Sequence, residues 1–471
     1  MSGRHFNRMA CFRVGWDEVP PASRATSPPG RVGLCPSLRI VGAITASLCI
    51  LATAAVADDW PQWGGPQRDL VWREDRIVAK LPEGELPRRW ATPIGAGYSG
   101  PAVADGRVFV TDRLADKNLE RILCLDAGDG GEVWKHEYEA AYDISYPLGP
   151  RTTPTVDDDR VYTLGAVGHL LCLNADDGEV IWQKHLPTDV GTELPNWGMA
   201  AAPLVDGDQL IVLAGGADGA LVVSFDKRTG EERWRALDDP QVGYAPPVIY
   251  EFGGRRQLIV WHQSHVSSLD PASGAVLWQH AHPVKEALTV AMPRKVGNRL
   301  FVASFYEGPL MLELGENGIT PKVAWDGRTG NEIKNNSIHT IMPTPVVIDE
   351  LIYGISSYGQ LRCLETDTGE MVWETRQPTG EGRWWNAFLV PHNADGEERE
   401  GARRVFLANE QGELILAELL REGYREISRA RLIEATQPIQ RRKTVWSHPA
   451  FAMQSVFARN DREVIRVDLA N

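Results

Sequence analysis

The side chains in this sequence best suited to chemistry stand immediately ahead of short apolar runs. GYSGP (97–101), LGPRTTP (148–154), NWGMAAAP (196–203), VGYAPP (242–247), VAMPRK (290–295), SIHTIMPTP (337–345), GRWWNAF (382–388) and KTVWSHPAF (443–451) carry nine of them: Tyr98, Arg151, Trp197, Tyr244, Arg294, His339, Trp385, Trp446 and His448. Aromatic faces and a few cationic groups gathered around one opening would grip a planar or anionic small molecule, or a peptide.

Other constellations are poorer. His280-Ala-His282 sets two imidazoles on one strand face, but no third donor for zinc lies nearby in sequence. Asp157-Asp158-Asp159 has the charge for a cation, yet it falls on a tight hairpin where acids are ordinary turn formers. The charged stretch NADGEEREGARR (393–404) reads as a solvated lengthening of a hairpin. No G-x-S-x-G, H-E-x-x-H, phosphate loop or dinucleotide fingerprint stands where a strand, turn and helix would present it. No catalytic residue and no metal site is expected, and the nine residues are binding candidates.

What positions them is a repeat. LDAGDGGEVW (125–134), LNADDGEVIW (173–182), FDKRTGEERW (225–234), LDPASGAVLW (269–278) and LETDTGEMVW (364–373) align without a gap, glycine always sixth and tryptophan always tenth. Upstream, RVFVTD (107–112), RVYTLG (160–165), QLIVLA (209–214), QLIVWH (257–262), RLFVAS (299–304), LIYGIS (351–356), RVFLAN (404–409) and SVFARN (455–460) recur at a spacing of about fifty residues. Adding the apolar pieces before and after each gives four short antiparallel strands per unit, the signature of a propeller blade. The glycine answers a hairpin's need for positive φ.

Trp134, Trp182, Trp234, Trp278 and Trp373 end fourth strands at one register, and Trp325 falls near the same phase. They are expected to wedge between blades as structural docking residues. The last unit stops at VIRVDLAN, a third strand; RRWATPIG (88–95), with Trp90, supplies a lone fourth strand at the other end. The expected fold is therefore all-β: an eight-bladed propeller over 88–471, closed by an N-terminal strand joining the C-terminal blade. Residues 58–87 form an N-terminal extension. The lead-in loops carrying the nine candidates would then share one face around the central channel.

Composition bounds the partners. RIVGAITASLCILATAAVA (39–57) is an apolar run after arginines, ending in an A-x-A cleavage site, so residues 1–57 read as a signal leader and the protein as exported, periplasmic or extracellular. No other stretch is long and apolar enough to span a bilayer as a helix. Without residues 1–57, which hold six arginines and two acids, the formal net charge of −14 becomes −18. Such a surface repels phosphate backbones and excludes nucleic acid as a partner. Cys124, Cys172 and Cys363 share one slot, in ILCLD, LLCLN and LRCLE, and are expected to be buried apolar side chains without disulfides.

The LDxxTGxxxW unit with its tryptophan resembles the repeat of the quinoprotein propeller superfamily, whose cofactor is pyrroloquinoline quinone (PQQ), over roughly 88–471. WPQWGGPQRDLVW (60–72), YPLGPRTTPTVDDDRVYTLGAVGHLLCL (146–173) and HPAFAMQSVFARNDREVIRVDL (448–469) resemble secreted bacterial PQQ-like repeat proteins. The same propeller occurs in the lipid-anchored assembly factor of the outer-membrane β-barrel machinery, a binding scaffold. The superfamily's dehydrogenases hold PQQ over a disulfide between adjacent cysteines and Ca²⁺ through a carboxylate and an asparagine; this sequence has no Cys-Cys pair. The resemblance thus implies a monomeric, non-catalytic module for a protein, peptide or small-molecule ligand. A redox enzyme, dependent on PQQ or on another cofactor, and an outer-membrane assembly factor are the alternatives.

Overall fold

The repeated decapeptide folds as a strand end, a tight turn and a bulged strand. In its first copy the Asp126 carboxylate accepts the amides of Gly128 and Asp129 at 2.7 and 3.2 Å, and the Gly130 amide returns to the Asp126 carbonyl at 2.9 Å. Gly130 has φ 77°, and it meets a second demand: a Cβ there would lie 2.7 Å from indole carbons of Trp90. Gly178 lies likewise under Trp134, Gly230 under Trp182, Gly274 under Trp234 and Gly369 under Trp325. Each indole belongs to the blade before its glycine, so the turn and the tryptophan are two halves of one inter-blade joint.

The computed structural model describes residues 59–239, 241–392 and 403–471. The expected leader (1–57) and residues 393–402 of the charged insertion lie outside the described residues. Eight four-stranded antiparallel sheets follow one another in sequence order, over 102–139, 155–185, 204–236, 248–281, 294–326, 346–375, 387–431 and 450–468. These are blades 1 to 8. The eighth takes its outer strand from the other end of the chain: β1 (Arg88–Pro93) pairs with β2 (Glu463–Asp468), Ala91 opposite Ile465 and Thr92 opposite Val464. The propeller is therefore eight-bladed and closed by both ends of the described chain.

Each joint is hydrogen-bonded as well as packed. The indole N–H of Trp90 donates to Ala127 O (2.9 Å), Trp134 to Ala175 O (2.9 Å), Trp182 to Lys227 O (3.1 Å), Trp325 to Thr366 O (2.8 Å) and Trp373 to Leu420 O (3.0 Å), all in the following blade. Trp234 and Trp278 use a relay. They donate to Gln209 and Gln257 of their own blades, whose amide N–H groups donate onward to Pro271 O and Gly318 O. Opposite the tryptophans stand Cys124, Cys172, Ser224, Ser268, Met311 and Cys363, and the register slips just past each of these pairs. Such bulges sharpen the twist that splays blades into a ring.

Two stretches of the extension complete the ring. The fourth strand of blade 7 (Gly423–Arg431) carries no tryptophan, and residues 76–86 dress its seam with blade 8. The Leu86 amide donates to Arg431 O and the Val78 amide to Leu469 O, while Ile77, Leu81 and Leu86 bury against Ala430, Val467 and Leu469. Residues 59–74 pass along the channel lining. Trp60 exchanges backbone hydrogen bonds with Val103 of blade 1, and Pro61 O accepts the Val156 amide of blade 2. The Arg68 guanidinium donates to Ala202 and Pro203 carbonyls leading into blade 3 and to Pro247 O leading into blade 4. Asp69 O accepts from Arg294 of blade 5, Leu70 packs with Val346 of blade 6, and the Trp72 amide donates to Pro391 O of blade 7. Glu74 accepts the Gln454 amide of blade 8. All eight blades touch this strap.

Replacing Trp134 with alanine removes one joint, and its unfolding free energy should fall by about 3–5 kcal/mol, read from the urea midpoint; a loss below about 1 kcal/mol would contradict the joint. His282 gives a pH prediction. It is fully buried beside Trp261, neither ring nitrogen has a partner, and burial pushes its pKa down to about 4. Its neutral ring is accommodated above about pH 6.5, and stability is lost as pH falls from there towards 4, at up to about 1.4 kcal/mol per pH unit. His282→Phe should flatten that part of the stability profile, and an unchanged slope in urea titrations at pH 4.5–7 would refute it.

Candidate functional site

In this topology every connection from a fourth strand to the next first strand emerges on the same face. There the lead-in loops surround a cavity of about 250 Å³ lined by Tyr98, Arg151, Trp197, Tyr244, Trp446 and His448. Trp63 of the strap lines it too. The rings form a near-continuous wall: Trp197 to Tyr244 5.8 Å, Tyr146 to Trp446 6.2 Å, Trp384 to Trp446 6.5 Å, Phe388 to His448 5.0 Å and Trp63 to His448 6.0 Å between centroids.

Three residues expected to line the funnel do not. Arg294 is drawn to the strap by the Asp69 carbonyl at 3.1 Å. His339 is fully buried under the blade 5 hairpin, its Nδ1 3.0 Å from Phe305 O and its ring filling the space a Cβ on Gly308 would need. Trp385 packs on Gly380 and under the Arg442 guanidinium. Its neighbour Trp384 takes the funnel position, at φ 68°. Tyr146, Tyr306, Phe388 and Trp63 also line the site without having been singled out; Tyr306 comes from a hairpin between second and third strands rather than from a lead-in loop. Trp63 lay in plain view in WPQWGG, but nothing in that stretch says that it enters the channel.

The electrostatics are unusual for a reaction centre. Among the described residues the lining contains no carboxylate and one cation, Arg151. That guanidinium donates to the Gly149, Ser145 and Tyr146 carbonyls and sits 5.2 Å from the Tyr98 ring. His448 is almost fully buried, with Nδ1 2.6 Å from Pro449 O. Nδ1 must donate there, which leaves Nε2 as an acceptor, and burial keeps the ring neutral by pushing its pKa down to about 4. Among the described residues Nε2 has no partner; neither do the Tyr98 hydroxyl and the Trp384 indole N–H. Burial pushes the Tyr244 phenol up to about 12. The funnel is thus an apolar wall with these three polar atoms buried at its surface.

Other chemistry can be tested against the same geometry. PQQ with Ca²⁺ does not fit: Cys124, Cys172 and Cys363 are buried free thiols in three separate blades, pushed up to about 12, and the funnel offers no carboxylate to Ca²⁺. Asp239, His262 and Ser267 line up as an acid, base and hydroxyl, with Oδ2 to Nδ1 2.7 Å and Nε2 to Oγ 2.8 Å. Ser267 is fully buried, so no acyl substrate reaches its oxygen. The acids of 157–159 serve a hairpin: Asp157 ends a strand and pairs with Lys227 at 2.5 Å, and Asp158, in the turn with Asp159, takes φ 50°. His280 and His282 gather no third donor among the described residues.

Several known proteins are similar. An outer membrane protein assembly factor BamB from Moranella endobia is 24% identical over 232 residues, 47% of this chain and 56% of that one, so the match spans little more than half of the relative's length. The crystal structure of BamB from Moraxella catarrhalis superposes with a TM-score of 0.52 at 15% identity, covering 80% of this chain and 97% of that chain. A quinohemoprotein alcohol dehydrogenase from Comamonas testosteroni superposes with a TM-score of 0.60 at 13% identity, covering 88% and 81%. At these identities the superpositions show a shared fold. Residues 118–375, more than half of the chain, match the PQQ-like repeat model described as outer membrane protein assembly factor BamB, and the chain belongs to that family.

Proposed function

We propose that this protein is an exported, non-catalytic scaffold of the cell envelope that holds an extended segment of a polypeptide partner, in the manner of an assembly factor, with an aromatic or aliphatic side chain of that segment in the funnel. One observation carries the reading: a preformed aromatic wall encloses the funnel, and among the described residues its lining holds no carboxylate and a single cation. An aromatic or aliphatic side chain inserted there gains from desolvating the wall. A strand-like peptide carries such side chains on one face at every second residue. Membership of the assembly-factor family supports the same role, and the leader over residues 1–57 supplies the export.

The test is fluorescence anisotropy of a labelled ten-residue strand peptide with a central phenylalanine, titrated with the full chain. Saturable binding is expected, weakened about 30-fold or more by Trp197→Ala and likewise by exchanging the peptide's phenylalanine for alanine, the loss typical of a buried aromatic anchor. Binding that ignores both changes would overturn the reading. So would stoichiometric uptake of PQQ with Ca²⁺ accompanied by alcohol-dependent dye reduction.

A further inference from the structure

A second constellation lies on the funnel face of blade 4, away from the funnel lining. Asp239 stands in the connection from blade 3 to blade 4, His262 follows the second strand of blade 4 (Arg255–Trp261), and His265 opens the third (His265–Leu269). One ligand atom from each lies within 4.8 Å of the other two. The Asp239 and His262 side chains are 2% and 1% exposed, whereas His265 is half-buried. Two acids or imidazoles on an exposed turn would carry no weight, but here a buried carboxylate faces a buried imidazole with a second, half-buried imidazole beside them.

The surroundings are those of a metal site. Among the described residues no lysine or arginine pairs with Asp239; its partners are His262 Nδ1 and the amides of Ser264 (3.2 Å) and Gln241 (3.4 Å). A carboxylate withdrawn from water normally acquires a countercharge. Behind His262, Ser267 Oγ lies 2.8 Å from Nε2 and accepts from Gln279 Nε2 at 3.1 Å. This is the outer support that orients a ligating imidazole: Nδ1 on the ion, Nε2–H on a fixed oxygen. The His265 ring has no hydrogen-bond partner among the described residues and is centred 5.6 Å from that of His262. Tetrahedral zinc, with bonds of about 2.0–2.2 Å, sets its ligands roughly 3.4 Å apart. The Asp239–His262 contact of 2.7 Å has to open slightly and His265 has to swing in, both within the reach of side-chain rotation.

We propose that Asp239, His262 and His265 form a binding site for a divalent transition-metal ion of the zinc class, with a fourth coordination position open to solvent beside His265. Two nitrogens and one carboxylate oxygen are borderline donors that suit Zn²⁺ and disfavour Ca²⁺, which takes six to eight oxygens. The bound ion would tie the blade 3–4 connection, which runs on from Asp239 to Tyr244 in the funnel wall, to the hairpin of blade 4. The site stands independently of the peptide reading.

The experiment takes the untagged full chain, strips it with EDTA and titrates it with ZnCl₂ by calorimetry, with metal content measured after desalting. One Zn²⁺ per chain is expected to bind saturably, and Co²⁺ in its place should give a visible d–d band. His265→Ala should weaken binding at least about 100-fold and abolish the band, with an unchanged melting temperature in EDTA showing an intact fold. Ser267→Ala should weaken it about 10–100-fold, as the loss of an outer-shell partner does. His280→Ala should leave the stoichiometry at one. Absence of saturable binding in the unaltered chain, or binding that survives His265→Ala, would overturn the proposal.

Discussion

A ring of sheets has an awkward centre. Eight first strands face one another across a channel, and each exposes the outer edge of its backbone there, unpaired amides and carbonyls that would otherwise depend on water. The strap of residues 59–74 is what answers this. Its backbone pairs with blade 1 through Trp60 and Val103, takes an amide from blade 2 at Pro61 and gives one to blade 7 at Trp72. Where the strap cannot reach with backbone, Arg68 does so with a guanidinium, feeding carbonyls at the entrances of blades 3 and 4. Burial pushes even this arginine down to about 10. The arrangement tolerates that cost because one side chain satisfies several acceptors that no apolar residue could. The same strap sends Trp63 upward to line the funnel, so the filling of the channel and the shape of the site are one structural decision.

The architecture was readable because its joints are periodic. A glycine at the sixth position and a tryptophan at the tenth recur by sequence, and the structure shows why they travel together: Gly178 lacks a Cβ where the Trp134 indole lies, one blade back. Ring closure was readable for the same reason, since RRWATPIG carries the tryptophan of a strand whose partner is at the far end of the chain. What stayed hidden lacks periodicity. The extension 58–87 repeats nothing, so its course past eight blades left no trace in the pattern. Trp384 and Trp385 are adjacent and alike; a backbone turn at φ 68° decides which faces the funnel, and only tertiary context sets it. Arg294 and His339 sit in loops of the right phase but are captured by nearer carbonyls, Asp69 and Phe305.

The division of labour within the molecule follows. Acids supply the outer surface and the turns, as Asp126 and Asp226 do beneath their decapeptide hairpins. The funnel, by contrast, is almost free of charge and rich in rings. A propeller built this way holds the aromatic funnel at its axis apart from the Asp239–His262 pair between blades 3 and 4. The superposition on the quinohemoprotein alcohol dehydrogenase shows only that this fold can be reached with little shared sequence.

The central claim is that strap and closing strand make the ring one cooperative unit. Native-state hydrogen exchange tests it most directly, by comparing amides of Glu463–Asp468 in blade 8 with those of Val222–Asp226, the third strand of blade 3, and with Trp60 and Trp72 in the strap. Closure predicts that all of them exchange only through global unfolding, with one free energy and one denaturant dependence. If the blade 8 strand and the strap instead open several kcal/mol more easily than blade 3, the ring is not locked where the account says it is.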